Sequence, residues 1–454
     1  MAAPTTPVLP ALLLVGAIAG TVAADVGGMP IFRLPATAFL MAYFVVRRHD
    51  LSIMARRMLG LAAVLAAAAL VFADAPLGTA LAALRPGLFL AVFVSCVNML
   101  RTAARQSPFI RRCGLLVVNQ PPGRRYALLS LGSAAAAVVL LFSVLNLFGT
   151  MIVRAGRAGS PAVRRSVLAM LRGFALTPSI SPLAIPFAAI STTYTDMDWS
   201  RVAPLIGVGI VLLWFLGWLL DSVGNKRDSD ATTSGHDGDW TDYLRMLVLI
   251  GVLVATVVGL KQTFGVSLGY GVIFAAPMFA FVWMIWRRWK GGAGLSSLLA
   301  VRRVSIGMAE DRNELAILFS AGLAGVSIGR LLPVEAMARG LDALSIPPFL
   351  IPAAITLVFV VAGQLAFQPI MIFIIVAAVL PDAHALGLPP AVLFATYFLA
   401  WGLMSVNSPF NVCTLVPARL AGVDSFTLCW RWNGVYSMSA ALIVAILMGV
   451  FTLQ

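Results

Sequence analysis

Two runs of small, hydroxyl-bearing residues interrupt apolar stretches of this chain, TPSISP at 177–182 and SVNSP at 405–409. Both runs end in Ser-Pro, and Ser408 lies 227 positions after Ser181. Pro removes a backbone donor and clashes with the preceding turn, so a helix that carries such a run opens there. The opened turn presents hydroxyl, amide and carbonyl oxygens, and the half-helix after it presents free N–H groups. Such groups suit Na⁺ and an anion, respectively.

Nine polar residues are the candidate substrate- and ion-binding residues. Those at the breaks come first, and those in the predicted hairpins described below come second: Ser181, Asn407, Ser408 and Asn411, then Thr177, Ser179, Asn146, Gln364 and Gln368. An alternative is that Ser, Thr and Asn only join helices by hydrogen bonds, as they commonly do in membranes. The binding role is favoured because two polar clusters recur at matching Pro breaks.

Composition places these residues in a membrane. The chain is 60% hydrophobic and 11% charged, with a mean hydropathy of +0.96, whereas a soluble core of this size needs far more charged surface. Freed backbone groups are tolerated at membrane depth only against buried protein or a wet cavity. Two matched breaks therefore predict one central polar site in a transporter built from two repeats.

The charges and the cysteines narrow the function further. The net charge of +14 comes mostly from Arg residues between apolar runs, which indicates a multi-pass inner-membrane protein with a positive cytoplasmic side and no nucleic-acid partner. Four scattered cysteines and three histidines in predicted loops make neither a disulfide framework nor a metal site. We expect no cofactor beyond Na⁺ as a coupling ion.

Apolar runs of about 17–25 residues predict eleven spans. Their ranges are 8–26, 30–46, 58–75, 80–100, the interrupted span 174–193, 204–220, 246–260, 268–286, 314–330, the interrupted span 390–417, and 434–451. The first run resembles a signal peptide but lacks a basic n-region, so we interpret it as a retained span.

Two further apolar runs predict re-entrant hairpins. Residues 126–153 lie between the basic connections 101–125 and 154–172, and a single crossing would put one of these outside, against the positive-inside rule. The turn of this hairpin is predicted at Gly132-Ser133 or, alternatively, at 146–150. Residues 346–380 form the second hairpin.

The second hairpin is predicted to turn at 363–369, GQLAFQP. The sequence therefore predicts an all-α polytopic membrane protein with eleven transmembrane helices and two re-entrant hairpins in two inverted-topology repeats. Its units are an extra N-terminal transmembrane helix (1–28), a first inverted repeat (29–223), a cytoplasmic linker (224–244) and a second inverted repeat (245–454).

This plan, with a hairpin and then a helix broken at a small-polar-Pro motif in each half, resembles the ion transporter superfamily. Its members include divalent anion/sodium symporters, arsenite permeases and citrate carriers. In the sodium-dicarboxylate branch the hairpin tips carry Ser-Asn-Thr and the broken helices carry a Gly-Thr-x-Pro-Asn-like run. This chain has NLFGT at 146–150 and GQLAFQP in the hairpins, and TPSISP and NSPFN at the breaks. The resemblance implies a membrane homodimer surrounded by lipid.

The acidic residues bear on the coupling ion. All of those considered, including Glu314, fall in predicted loops or at span ends, whereas proton-coupled carriers usually use a buried carboxylate. Sodium coupling or facilitated exchange is therefore favoured over proton coupling. Arg85 and Arg330, near the outer ends of two spans, could draw in an anion, although a terminal Arg more often extends to the headgroups.

The sequence thus predicts a secondary active transporter of a small, carboxylate-like organic anion that works by alternating access, and not an enzyme. One alternative is a proton-coupled or inorganic-anion (arsenite-like) exporter. An intramembrane enzyme or a lipid-handling protein is an alternative of another class. An enzyme would need His, Asp, Glu or Cys gathered at depth, and the sequence gathers none there.

Overall fold

The chain is helical throughout the part that the computed structural model describes. These residues are 8–105, 107–118, 120–156, 160–194, 197–223, 240–290, 306–331, 333, 346–380 and 382–453, and they contain no strand. The predicted all-α class is confirmed for them.

Ten α-helices precede residue 224. They are α1 (Val8–Asp25), α2 (Arg33–Val46), α3 (Ile53–Val71), α4 (Pro76–Arg105), α5 (Pro108–Val118), α6 (Pro122–Leu140), α7 (Ser143–Ala155), α8 (Pro161–Ile180), α9 (Ile185–Thr193) and α10 (Trp199–Val223). Ser52 and Ser160 cap α3 and α8, because each hydroxyl oxygen accepts a bond from an N–H of the first turn.

The second half supplies the remaining helices. They are α11 (Trp240–Phe264), α12 (Leu268–Lys290), α13 (Arg312–Leu331), α14 (Ile351–Gln364), α15 (Pro369–Val379), α16 (Pro390–Asn407), α17 (Val412–Ala421) and α18 (Gly434–Thr452). Most of the predicted linker lies outside the described residues. Its end, from Trp240, belongs to α11.

Ten helical segments of the described chain are long and apolar enough to cross a membrane. They include both interrupted spans, Pro161–Ser191 and Pro390–Ala421. These ten correspond to ten of the eleven predicted spans. The second predicted span, 30–46, is present as a shorter apolar segment, a 3₁₀ turn followed by the 14-residue α2. A left-handed Gly28 (φ 68°) and then Pro30 keep the chain from entering the helix earlier.

The first predicted hairpin is a pair of helices, but its turn lies elsewhere. Helices α6 and α7 meet at Leu141, which has a φ of 47°, so both predicted turn positions are wrong. Gly132 and Ser133 lie inside α6, where Ser133 donates a hydrogen bond to the carbonyl oxygen of Met170 on α8 (2.9 Å). Their small size serves helix packing.

The second hairpin turns where the sequence predicted. Helix α14 ends at Gln364, Ala366 adopts a φ of 63°, and α15 begins at Pro369. Pro at the first helical position is preorganised for the new helix, because its ring fixes φ near the helical value and the N–H that it lacks would find no partner in the first turn.

The two broken spans, led by α8 and α16, cross at the centre of the fold. A Cβ built on Gly402 would collide with the carbonyl oxygen of Ala175, so the backbones touch there. One turn further along α8, the Ser179 hydroxyl donates to the carbonyl oxygen of Phe398 (3.2 Å), one turn back along α16. The helices are therefore antiparallel.

A second glycine crossing joins α4 and α13. A Cβ on Gly87 would lie 2.6 Å from the carbonyl oxygen of Phe319, and one on Gly322 would lie 2.5 Å from the backbone nitrogen of Gly87. Small residues allow such close approach, which drives helix association where no water is displaced.

We predict that Gly402→Ala destabilises the protein because the added methyl group overlaps the Ala175 carbonyl. Overpacking of this kind costs about 1–3 kcal/mol, so the melting temperature of the purified protein should fall by several degrees. The matched control is Gly207→Ala on α10, where no atom lies within 4 Å of the new Cβ. Equal melting temperatures for the two variants would contradict the crossing.

Candidate functional site

The first break is a short loop between α8 and α9, built around Ser181. The Ser181 N–H donates to the carbonyl oxygen of Thr177 (3.0 Å) and closes α8. The Ser181 hydroxyl then accepts from the N–H of Leu183 (3.2 Å), and its carbonyl oxygen accepts from the N–H of Ala184 (3.1 Å). Pro182 has no N–H to continue the ladder.

The second break, between α16 and α17, repeats this pattern at Ser408. The Ser408 N–H donates to the carbonyl oxygen of Met404 (3.2 Å), and its hydroxyl accepts from the N–H of Phe410 (3.3 Å). Its carbonyl oxygen accepts from the N–H of Asn411 (3.4 Å). Two loops 227 residues apart thus share three equivalent hydrogen bonds, so the predicted breaks have one local architecture.

The two breaks lie too far apart to share one small ligand, contrary to the prediction of one central polar site. Each Ser lies six residues beyond the contact between Ala175 and Gly402, on its own helix. Because the helices are antiparallel, the breaks fall on opposite sides of the crossing. At 1.5 Å per residue each is about 9 Å from it, so one small ligand cannot touch both loops.

Two polar side chains form hydrogen bonds with the backbone of the second break. The Gln364 amide donates to the carbonyl oxygen of Asn407 (2.9 Å), and the Thr414 hydroxyl donates to that of Ser408 (2.6 Å). A Cβ on Gly363 would lie 3.3 Å from the Cβ of Ser408, so the α14–α15 turn packs on the loop. The structure therefore brings together four of the predicted residues here: Gln364, Asn407, Ser408 and Asn411.

Asn407 stands out within this group. It is 3% exposed, yet its side-chain amide forms no hydrogen bond with any residue that the structure describes. Asn411 uses its Oδ1 to accept from the N–H of Cys413 (3.1 Å), which leaves its amide nitrogen to a further partner. The amide and hydroxyl oxygens here are neutral ligands of the kind that bind Na⁺.

The first break is poorer in polar groups. Leu183 and Ala184 stand where Phe410 and Asn411 stand in the second. Thr177 is 1% exposed, and its hydroxyl has no hydrogen-bond partner among the described residues. The Ser179 hydroxyl already donates its hydrogen bond to the carbonyl oxygen of Phe398. The two loops share a backbone pattern but differ in the ligands that they offer.

Two of the predicted residues lie outside these clusters. Asn146 is exposed on α7, because the hairpin turns at Leu141 rather than beside it. Gln368 immediately precedes α15 and is half-buried, but its side chain does not cap that helix.

A buried arginine was missed by the sequence reasoning, which placed Arg172 in a cytoplasmic connection. Arg172 is 6% exposed on α8. Its Nε donates to Asn433 Oδ1 (3.0 Å), its Nη1 donates to the carbonyl oxygen of Gly217 (3.3 Å), and the guanidinium lies 4.6 Å from the Tyr436 ring centre. These two hydrogen bonds and the cation–π contact hold α8 against α10 and the start of α18.

Inward-facing acids were missed as well. Glu314 lies at the start of α13, as predicted, but it is half-buried and points to Arg101 (3.3 Å), which is 3% exposed on α4. Glu314 Oε1 has no hydrogen-bond partner among the described residues. Asp25 is also buried, where Arg33 (2.6 Å) and Tyr270 (2.5 Å) contact it. A span-end position therefore did not exclude burial.

We predict that Arg172→Gln lowers the free energy of unfolding by about 2 kcal/mol, because charge-assisted hydrogen bonds to Asn433 and Gly217 are lost. The matched control is Arg164→Gln on the same helix, where the exposed guanidinium lies 5.4 Å from the Trp432 ring centre and its loss should cost less than about 1 kcal/mol. Both are measured by denaturation of the purified protein. Equal losses would mean that Arg172 is not buried.

Comparisons with known proteins support the fold. No family model matches the chain, and no curated protein matches it in sequence. Among solved structures it is similar to the YdaH transporter of Alcanivorax borkumensis, whose crystal structure is described as having an unusual topology. The TM-score is 0.56 at 17% sequence identity, over 80% of this chain and 84% of that one. This protein is therefore a multi-span helical membrane protein with the fold of a transporter.

Proposed function

We propose that this protein is a secondary transporter that moves a small organic anion, carboxylate-like, across the inner membrane by alternating access. The observation that carries the proposal is the pair of breaks at Ser181 and Ser408, which have the same hydrogen bonds. Opened helices at membrane depth are tolerated where they line a site, and such pairs mark the binding sites of transporters with repeats.

The positions of the breaks support two inverted repeats. An offset of 227 residues takes Ser181 to Ser408 and also takes Ala175 to Gly402, and Ala175 and Gly402 touch. A contact between equivalent residues lies on a two-fold axis, so this crossing would be the centre of the pseudosymmetry. Each broken helix is also preceded by a helix pair and followed by a long apolar helix.

The helix pairs α6–α7 and α14–α15 support re-entrant hairpins. Helix α7 has 13 residues and α15 has 11, so at 1.5 Å per residue they reach about 20 Å and 17 Å. Both lengths are short of the roughly 30 Å hydrocarbon core. Arg124 and Arg154 lie at the two ends of the first pair, as expected if both ends are cytoplasmic.

The chemistry of the breaks favours sodium coupling at the second one. Asn407, Ser408 and Gln364 supply neutral amide and hydroxyl oxygens beside an opened backbone. The free N–H groups at the starts of α9 and α17 favour an anion. A homodimer and membership of the ion transporter superfamily belong to the same proposal, on the resemblance of the hairpin-and-break plan.

Proton coupling is the second candidate, because Glu314 favours it. This side chain is half-buried beside Arg101, and its buried Oε1 lacks a partner among the described residues, while intramembrane carboxylates commonly serve proton relays. The remaining alternatives are an inorganic-anion exporter, an intramembrane enzyme and a lipid-handling protein.

We predict that proteoliposomes containing the protein take up a carboxylate from a panel of organic and inorganic anions when an inward sodium gradient is imposed. Asn407→Ala should raise the sodium concentration for half-maximal uptake about tenfold, the equivalent of roughly 1.4 kcal/mol. The matched control is Ser405→Ala, because Ser405 only bonds the carbonyl oxygen of Trp401 in its own helix (2.9 Å).

The outcomes separate the candidates. Uptake that does not depend on sodium, is driven by a pH gradient and is lost in Glu314→Gln would show proton coupling and contradict sodium coupling. Failure of every anion in the panel would contradict the proposed function.

Topology gives an independent prediction. Single cysteines at Arg124 and Ala155, both exposed, should react with a membrane-impermeant maleimide from the same side, because they flank a re-entrant pair. The native background is low: burial raises the pKa of the Cys113 thiol to about 11 and that of Cys429 to about 12, and the thiolate is the reactive form. Labelling of the two positions from opposite faces would rule out the hairpin.

A further inference from the structure

A cavity of about 430 Å³ lies among α4, α9, α13 and α15, away from the second break. It falls in the roughly 300–1,000 Å³ range of small-molecule sites. The cavity touches both α9, which begins at the first break, and α15, which begins at the second hairpin turn. Two of its four walls are therefore α9, which follows the first break, and α15, which follows the second hairpin turn.

One wall of the cavity carries the positively charged side chain of an arginine. Arg330, in the last turn of α13, lines the cavity and is exposed, and it forms no ion pair with any residue that the structure describes. Other arginines of the described chain near helix ends, such as Arg33 and Arg201, contact Asp25 and Asp198. A guanidinium without a carboxylate partner suits a carboxylate from a ligand, which it can bind through two parallel hydrogen bonds.

The other walls are apolar and small. Leu90, Ala189, Ile374 and Ala378 line the cavity from three helices. Gly325 faces the Ile374 side chain so closely that a Cβ would collide with it, so α13 and α15 are packed as tightly as glycine permits. No acidic side chain among the residues that the structure describes lines the cavity. These walls fit a hydrocarbon body and offer no ligand for a second charge.

The cavity leads toward the first break. Ala189 lines it and lies five residues after Ala184, the residue that precedes α9, a rise of about 7 Å. Thr193, at the other end of α9, also lines it and is exposed. A ligand in the cavity would therefore have Thr193 and Arg330 at its surface end and the buried Ala189, in the middle of α9, at its inner end.

We propose that this cavity binds the transported anion, and that the anion is amphipathic, with one carboxylate at Arg330 and a compact apolar body against α9 and α15. This rests on the proposed function and adds to it the place and the shape of the substrate. Because the two breaks lie about 9 Å on either side of the crossing, a separate substrate site beside one of them is consistent with the geometry.

The test measures binding of three probes to the purified full-length protein by calorimetry: cyclohexanecarboxylate, its neutral amide and acetate. Wild type should bind cyclohexanecarboxylate at least tenfold more tightly than either of the others, because only it has both the charge and the body. Arg330→Gln should weaken cyclohexanecarboxylate at least tenfold and leave the amide unchanged. The matched control, Arg201→Gln, removes another exposed arginine and should change neither.

A second measurement tests the cavity even if the Arg330→Gln variant fails to fold. A single cysteine at Thr193 should react more slowly with a thiol reagent when cyclohexanecarboxylate is present, while one at the exposed Ser200 should react at an unchanged rate. Equal binding of all three probes, or no protection at Thr193, would overturn the cavity as the site.

The proposed function can fail separately from this inference. Sodium-driven uptake of an anion that persists unchanged in Arg330→Gln would overturn the cavity and leave the transporter intact. Binding that depends on Arg330, without uptake of any anion, would support the cavity and contradict transport.

Discussion

The backbone contact between Ala175 and Gly402 is the constraint on which the rest of the fold depends. It brings the two broken spans together as an antiparallel pair and fixes each break six residues beyond the crossing. Helices in a membrane associate by close packing rather than by displacing water, so a glycine at this point determines how near they come. The hairpins, the buried Arg172 and the helices after each break are arranged around this pair.

An opened helix in a membrane needs new partners for its backbone groups, and the breaks meet this need in two ways, one shared and one found only at the second break. The Ser hydroxyl accepts one N–H within the loop itself, at Ser181 and at Ser408. At the second break Gln364 and Thr414 then bond the carbonyl oxygens of Asn407 and Ser408. This added polar shell is what distinguishes a candidate ion site from a simple kink, and it is richer in the second half.

Much of the fold could be predicted from the sequence, because hydropathy and Pro are strong local signals. Both breaks and the turn before Pro369 were found that way. The turn at Leu141 was not, because a left-handed Leu has no residue-type signature. The polar cluster of Gln364 with Asn407 was foreseen only as two separate candidates, since the fold decides which pairs meet.

Arg172 and Glu314 show a different limit. The sequence predicted Arg172 in a basic connection and Glu314 at the end of a span, yet Arg172 is buried and Glu314 is half-buried, each against helices distant in sequence. The sequence likewise predicted one central site, whereas the antiparallel crossing separates the breaks. Residue type and spacing along one helix thus indicated the chemistry, and only the packing of α8 on α16 located it.

The most direct test of the central claim, that the two matched breaks are ligand sites flanking one crossing, is a high-resolution cryo-electron microscopy map recorded in sodium and again in choline. If the breaks are ligand sites, non-protein density should lie at the oxygens of Asn407 and Ser408 in sodium only, and both helices should be open at their Ser-Pro pairs. Continuous helices through Ser181 and Ser408, or loops that face lipid without bound density in either condition, would contradict it.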